Sequence, residues 1–186
     1  MLIQPLYETN RLFLCLVNEA QAGPLLRYYL ENRDFLEAFE LERPPMFYSM
    51  QYHQAALLRE RRLAEEDRSY RFCISRKEDP SSIIGMINLN EVVRGSFLSC
   101  FLGYKLDYRY LRIGLMTEAV GKACAIAFGD LGLHRIEANI MPRNKASIGV
   151  VKKCGFVEEG LSPKYLNING VWEDHIHMVL RNRGME

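Results

Sequence analysis

Apolar positions recur along the chain with two different periods, and the switches between them mark the elements. Leu12 to Val17 is a short apolar run and predicts a first strand. Over Glu19 to Asn32 the apolar residues Leu25, Leu26, Tyr29 and Leu30 fall at helical spacing. Residues 33–49 show no period; Pro44-Pro45 break any helix there, and the aromatics Phe35, Phe39, Phe47 and Tyr48 crowd the segment. Met50 to Asp67 predicts a second helix. The period then changes to that of strands at Tyr70 to Ser75, Ile83 to Leu89 and Ser96 to Leu106, with turns at Asp79-Pro80-Ser81 and Arg94-Gly95. Such a meander predicts antiparallel neighbours.

Beyond Leu106 the pattern alternates. Gly114 opens an alanine-rich helix over Leu115 to Phe128. His134 to Ile140 is a strand, and Asn144 begins a helix that stops at Cys154-Gly155. Val157 to Leu161 and Trp172 to Leu180 close the chain as two strands, with Lys164 to Gly170 as the link and Asn169-Gly170 as its turn. The order βαα, βββ, αβα, ββ describes a mixed α/β domain and not a doubly wound sheet.

Composition narrows the class. A chain of 186 residues, 48% hydrophobic, suits one domain (1–186) with a real core. The formal net charge of +1 argues against holding nucleic acid by a basic field. The charge run from Arg59 to Asp67 nearly neutralises itself and reads as a solvated helix face. Five scattered cysteines with no C-x-x-C pair argue against a disulfide framework and a structural zinc site, and for a reducing, cytoplasmic setting. Met1 to Pro5 has no basic leader, and no segment reaches the roughly 18 continuous apolar residues of a membrane span.

The segment Leu106 to Ala119 carries the most chemistry. A strand ends, a short loop turns, and a helix begins. The first N–H groups of a helix lack internal partners and lie at the positive end of its dipole, so a phosphate satisfies both. Gly114 lets backbone approach an anion. A Walker loop fails here, because Met116 stands where its first glycine belongs and Ala123 follows Gly121-Lys122. A G-x-G-x-x-G fingerprint is absent too. Taken alone, one glycine between strand and helix reads first as an ordinary turn.

The surrounding residues extend the pattern: Gly103-Tyr104, Met116-Thr117-Glu118-Ala119, His134 to Asn139, Pro142 to Ser147, and Gly155 to Gly160. This set resembles the acetyl-CoA-binding half of the GNAT acetyltransferases. Phe101-Leu102-Gly103-Tyr104, Asn144-Lys145, and Tyr165-Leu166 through Gly170 to His175 are similar to the ribosomal-protein-alanine (or serine) N-acetyltransferases, as is the opening Tyr7-Glu8-Thr9-Asn10-Arg11-Leu12. The resemblance covers nearly the whole chain. It implies a GNAT fold: a mixed, mostly antiparallel sheet of six to seven strands, about four helices, and a central strand pair that splays. It implies acetyl-CoA as co-substrate, held by Leu106, Arg112, Ile113, Gly114, Leu115, Met116, Thr117 and Asn144, with no metal. The acceptor would be the N-terminal amine of a ribosomal protein, Ala or Ser, and the enzyme a monomer or dimer with no membrane contact. The chain departs from the superfamily loop at Leu111, Arg112 and Met116. Binding there uses mainly backbone N–H groups, and Arg112 can add a cation over the pyrophosphate.

Acetyl transfer to an amine needs a neutral amine, donors for the oxyanion, and a proton for the departing thiolate. An α-amino group has a pKa of about 7.7–8.0 and is partly neutral at cytoplasmic pH, so a weak base or a water chain suffices. The family supplies the oxyanion donor from backbone at the splay, here on the strand ending near Leu106, which also pairs with the pantetheine arm. The tyrosine that many members use as acid matches Val151, so that acid is absent. The candidate donor is Ser147, three residues after Asn144; it reads equally as an early-helix serine bonding its own turn. Asn144 is also a plain N-cap. Glu137 is a candidate base, directly or through water, although its strand pattern reads first as a carboxylate on an exposed face. Lys164 stands where some relatives have an acid, and suits steering of an acidic substrate region.

His175 and His177 share a strand face but signal no further metal ligands, and read as surface or core histidines. Cys124 and Cys154 read as inert buried thiols, so transfer should be direct. The stretch Phe35 to Tyr48 and the loop Lys164 to Trp172 are the expected acceptor lips, although aromatics there also serve as core filler. Two other readings stand beside the first: a small-molecule amine acetyltransferase, and a non-catalytic CoA-binding module, which Leu111, Val151 and Lys164 keep open.

Overall fold

A computed structural model describes residues 6–186; Met1 to Pro5, and the expectation about a leader, lie outside the described residues. Strands β1 (Leu6–Glu8), β2 (Leu12–Leu16), β3 (Tyr70–Arg76), β4 (Asp79–Val93), β5 (Ser99–Leu106), β6 (Arg135–Ile140), β7 (Val157–Ile168) and β8 (Val171–Arg181) form one sheet in the order β1-β2-β3-β4-β5-β6-β8-β7. The helices are α1 (Ala22–Glu31), α2 (Arg33–Glu37), α3 (Met50–Glu65), α4 (Leu115–Ala125) and α5 (Lys145–Lys153). The expected α/β architecture is present with one strand and one helix more than the upper expectation, namely β1 and α2.

Alternation along the strands divides the interior into two layers. Leu12, Leu14, Phe72, Ile74, Ile87, Leu89, Cys100 and Leu102 face α4 and α5 with Ala119, Val120, Ala123, Ile148 and Val151. Cys73 and Met86 point the other way, under Leu25, Tyr28 and Tyr29 of α1, Leu36 of α2 and Leu57 of α3. Burial at Leu115, Met116, Ala119, Val120, Ala123 and Cys124 gives α4 the i, i+4, i+8 stripe of a core-facing helix. The helix then widens into a π-turn over Ile126–Asp130, so the expected end near Phe128 holds. Among the described residues no helix is long and apolar enough to cross a membrane, and the five cysteines are unpaired.

Several boundaries differ from the sequence pattern for local reasons. The β3–β4 turn is Lys77-Glu78, because register shifts around Ser75 absorb the extra residues and let Asp79 pair with Arg76. Strand β7 is far longer than expected, running through Pro163 and Lys164. It is an edge strand, where a missing N–H costs no ladder bond, and shifts between Glu158 and Gly160 and between Ser162 and Leu166 take up the irregularity. The helix expected from Glu19 starts as a 3-10 turn closed by an Asn18–Gln21 capping box.

Every neighbouring pair is antiparallel except β5 and β6, which run parallel after the α4 crossover. That parallel ladder holds only at Ser99–Arg135, Cys100–Ile136 and Phe101–Glu137. Beyond it β5 stays with β4 to Leu106 while β6 stays with β8 to Ile140, so the expected central splay opens after Phe101 and Glu137. Gly85 sits opposite Leu106 on the far side of β5. A Cβ there would meet the Lys105 carbonyl oxygen at 2.7 Å, with Leu106 and Ile74 at 3.1 and 3.3 Å. Gly85→Ala is expected to lower stability by about 1–3 kcal/mol, read as a lower urea midpoint at unchanged slope.

Candidate active site

The loop after β5 is anchored at its first residue. Asp107 is fully buried, its N–H donates to Ile84 O (2.8 Å), and its carboxylate accepts from Arg109 N (2.8 Å), Arg109 Nε (2.9 Å) and Asn32 Nδ2 (3.1 Å). Burial alone would raise the Asp107 pKa; the hydrogen bonds from Arg109 and Asn32 outweigh it and hold the group ionised. Asn32 Oδ1 in turn accepts from Tyr108 N, so the end of α1 is locked to the loop.

Leu111 to Gly114 are exposed, and two of these residues are left-handed: Arg112 at φ 64° and Gly114 at φ 82°. A Cβ on Gly114 would find its nearest neighbour at 3.5 Å, so glycine is favoured there by backbone angle and not by lack of space. Helix α4 begins at Leu115 with no side-chain cap, whereas Ser49 caps α3 and Asn144 caps α5. The first intrahelical bond runs from Glu118 N to Gly114 O (3.1 Å), which leaves the N–H groups of Leu115, Met116 and Thr117 free to meet an anion. Six of the sequence-designated residues thus form one continuous segment: Arg112, Ile113, Gly114, Leu115, Met116 and Thr117. Leu106 lies buried at the strand end beneath it, its side chain in the core.

The far end of the loop is tied to the beginning of the chain. Thr9 Oγ1 donates to Glu118 Oε1 (2.5 Å), Arg11 N to the same oxygen (2.8 Å), Arg11 Nε to Glu118 Oε2 (2.7 Å), and Arg11 Nη1 to Ile113 O (3.0 Å). The opening Glu-Thr-x-Arg-Leu pattern therefore acts as a strut for the loop, a role that no local signal in the sequence discloses. Burial raises the Glu118 pKa, but the bonds from Thr9 and Arg11 prevail and depress it.

Asn144 caps α5 by accepting from Ser147 N (3.1 Å). The Ser147 carbonyl accepts from the Tyr104 hydroxyl of β5 (2.7 Å), which pins the start of α5 to the splayed strand. Ser147 is half-buried, and its N–H is taken up by the Asn144 cap. Val151 is fully buried in the core.

Glu137 and Asn139 alternate with buried Ile136, Ala138 and Ile140, and so project on the face opposite α4 and α5. Glu137 is not solvated: Oε1 lies 2.7 Å from His177 Nδ1 and Oε2 accepts from Arg135 Nη2 at 3.0 Å. Burial raises its pKa; the hydrogen bonds from His177 and Arg135 reverse this and keep the carboxylate ionised. His177 Nε2 lies 2.7 Å from Ser162 Oγ, and Tyr165 sets its ring edge-on to His177 at 5.2 Å. His177 is thus set against Glu137, while His175 is buried with Nδ1 on the Glu173 carbonyl (3.0 Å).

Farther along the same face Lys105 meets Glu40 (2.5 Å), which also binds Arg43 (2.5 Å). Phe47 packs among Tyr29, Tyr48, Tyr52 and His53, and Phe35, Phe47 and Tyr48 of the expected lip are half-buried against the core beneath them. Phe39 stays exposed under Arg143. The hairpin lip touches α2 through Asn169 Nδ2 and Glu37 O (2.6 Å), and exposed Lys164 is fixed by its N–H on Asp174 (2.8 Å). Burial pushes the Cys124 thiol to about 12, and burial raises Cys154 as well, so neither is a ready nucleophile. Among the described residues no group of three or more His, Cys, Asp or Glu could hold a metal ion.

A splayed parallel pair, an uncapped helix at one end of the gap and a polar face across it define an acetyltransferase of the GNAT class. The chain belongs to that family: the model of the acetyltransferase (GNAT) domain matches residues 11–157, and the chain is an N-acetyltransferase. It is 37% identical over 168 residues to the [ribosomal protein uS5]-alanine N-acetyltransferase of Escherichia coli K12, covering 90% of this chain and 86% of that protein. Among solved structures, the ribosomal-protein-S5-alanine acetyltransferase of Vibrio fischeri superposes with a TM-score of 0.92 at 31% identity, over 98% of this chain and 99% of that one. Mycobacterium smegmatis RimJ, solved with CoA-disulfide, gives 0.87 at 25% identity, over 94% and 83%.

Two outcomes test the strut. Arg11→Ala is expected to weaken CoA binding about tenfold by calorimetry, the scale of one lost charge-assisted hydrogen bond. Because the folded-state pKa of Glu118 is depressed, its contribution is present above the unfolded value of about 4.3 and is lost as pH falls through the folded value. The stability advantage of wild type over Glu118→Gln should therefore be full near about pH 6 and shrink below about pH 4.

Proposed function

We propose that this protein transfers the acetyl group of acetyl-CoA to the N-terminal α-amino group of a ribosomal protein, alanine or serine, by direct attack in a ternary complex in the cytoplasm. The observation that carries the reading is the splay after Phe101 and Glu137, with an uncapped helix on one side and a polar face on the other. The residues fit acetyl-CoA. The free N–H groups of Leu115, Met116 and Thr117, with Arg112 beside them, suit the pyrophosphate. The β5 edge from Leu102 to Leu106, without a β6 partner, suits the two amides of the pantetheine arm as an added strand. The same edge offers backbone N–H groups to the oxyanion.

In this reading Asn144 holds the start of α5, and Ser147 delivers a proton to the departing thiolate, directly or through one water. Glu137 sits where the acceptor amine must arrive. The relatives named for ribosomal-protein alanine acetylation support a protein N-terminus as acceptor, and one sheet running from Leu6 to Arg181 supports a single domain. A polyamine would want free carboxylates, whereas Glu40 and Glu137 are both held in ion pairs.

A thiol-release assay with short peptides tests this. Peptides with free N-terminal Ala or Ser should turn over, with mass spectrometry placing the acetyl group on the α-amine, and an N-blocked lysine peptide should not. Turnover of small amines alone, or of no amine with CoA still bound, would reject the reading. Ser147→Ala should lower kcat about 10²-fold, the lower end of proton-transfer contributions, with CoA affinity unchanged.

A further inference from the structure

On the face opposite α4 and α5, each wall of the splay carries one residue out of keeping with its surroundings. On β5, Cys100, Leu102 and Leu106 point into the α4–α5 core, so Phe101, Gly103 and Lys105 face the other way. The parallel ladder joins Ser99 to Arg135 and Phe101 to Glu137. The same offset, carried one pleat past the last pair, sets Gly103 across the opening from Asn139. A Cβ on Gly103 would meet nothing nearer than Asn90 Nδ2 at 3.9 Å, and its φ is not among the left-handed ones. Neither crowding nor backbone angle calls for glycine there; what it leaves is open space at the edge of the gap.

Across that space Asn139 Nδ2 donates to the Tyr165 hydroxyl at 3.1 Å, and Asn139 Oδ1 is buried with no hydrogen-bond partner. Among the described residues it is the only such side-chain atom on the sheet; the others lie on α1, on α3 and in the loop after α2. A buried acceptor without a donor is destabilising, and a ligand N–H would relieve it. The amide is held by a residue two strands away. β8 lies between β7 and β6, and the shift between Ser162 and Leu166, with Lys164 at φ 49°, carries Tyr165 over His175 and His177 as far as β6. The break in the edge strand thus fixes one amide inside the open part of the splay. Asn139 is the next residue after Glu137 on that face, about 6.6 Å along the strand, a span that an amine and one water bridge.

We propose that Asn139 Oδ1 holds the acceptor α-amine in the space before Gly103. This rests on the acetyl-transfer reading of the site. An amide oxygen is neutral and only accepts. It takes one N–H of the amine without favouring the ammonium, as a carboxylate in its place would. A neutral primary amine has two N–H bonds and one lone pair. One N–H goes to Asn139, which leaves the lone pair for the thioester carbon. As the N–C bond forms and the C–S bond breaks, the other proton leaves toward Glu137, directly or through one water, and the thiolate takes a proton from the Ser147 side. One proton leaves nitrogen and one reaches sulfur, so charge and atoms balance. The product amide keeps the N–H that Asn139 accepts. Asn139 meets the amine; Tyr165 is a positioning residue that acts through it.

The test pairs a peptide that begins with free Ala with its des-amino twin, in which a propionyl group replaces the alanine. Binding of each to the CoA-loaded enzyme is read by calorimetry, so no turnover is needed. Wild type should bind the amine peptide about tenfold more tightly than the twin, the scale of one hydrogen bond. In Asn139→Ala that preference should fall below about twofold, with the twin bound as by wild type. Asn139→Asp keeps an acceptor oxygen and should keep the preference. Tyr165→Phe frees the amide to turn and should reduce the preference to about threefold. Gly103→Val fills the space and should weaken the amine peptide at least about tenfold, with CoA affinity within about twofold of wild type. In turnover, kcat/KM of Asn139→Ala on the amine peptide should be about tenfold lower. No preference in wild type, an undiminished preference in Asn139→Ala, equal weakening of both peptides in it, or loss of the preference in Asn139→Asp would overturn the assignment while leaving acetyl transfer standing. A wild type that acetylates no free N-terminus would remove the reading beneath it.

Discussion

The site exists because one ladder stops early. β5 and β6 are parallel neighbours for three residue pairs, ending at Phe101–Glu137. Past that point each keeps its outer partner and loses its inner one, so the strands part inside a continuous sheet. Backbone groups on the inner edges are left needing partners, and a buried unpaired N–H or C=O is costly. A ligand with amides of its own can fill that need. The same opening joins the two faces of the sheet, so a group entering from the α4–α5 side meets side chains of the opposite face at the apex.

The loop that closes the open end is fastened from both directions. Asn32 and Arg109 hold the buried Asp107 at its start, and Thr9 and Arg11 hold Glu118 at its finish. A carboxylate with no solvent exposure must be fully hydrogen-bonded, and removing a partner would strand the charge. Pairs such as Arg33–Glu37 or Arg68–Glu66 are exposed on both sides and contribute little. The outer fasteners belong to the turn between β1 and β2 and to the cap of α1, far away in sequence. The geometry of the anion-binding segment is therefore a property of the whole domain.

Helix α4, the meander and the closing hairpin were legible because each rests on a local rule: a burial stripe at helical spacing, alternation at period two, or an Asn-Gly turn. The misread parts lacked such a rule. Pro163 and Lys164 argue against a strand unless β7 is known to be an edge, and edge status depends on the order of all eight strands. α2 is five residues long, with Leu36 as its buried anchor, too short for periodicity to show. His175 and His177 signalled nothing at period two, because the partners of His177 lie on β6 and β7, 40 and 15 residues away.

By itself the sequence determined the mixed α/β class, the strand–loop–helix that meets an anion, and the family, since these follow from hydropathy period and from short contiguous motifs. Only the tertiary structure decided that the opening motif braces the loop, that Tyr104 pins the start of α5 through the Ser147 carbonyl, and that Glu137 is an ion-paired carboxylate beside His177 and not a solvated one. The reason is physical: backbone conformation is set by neighbours along the chain, whereas the protonation and orientation of a side chain are set by whatever packing brings within about 3 Å of it.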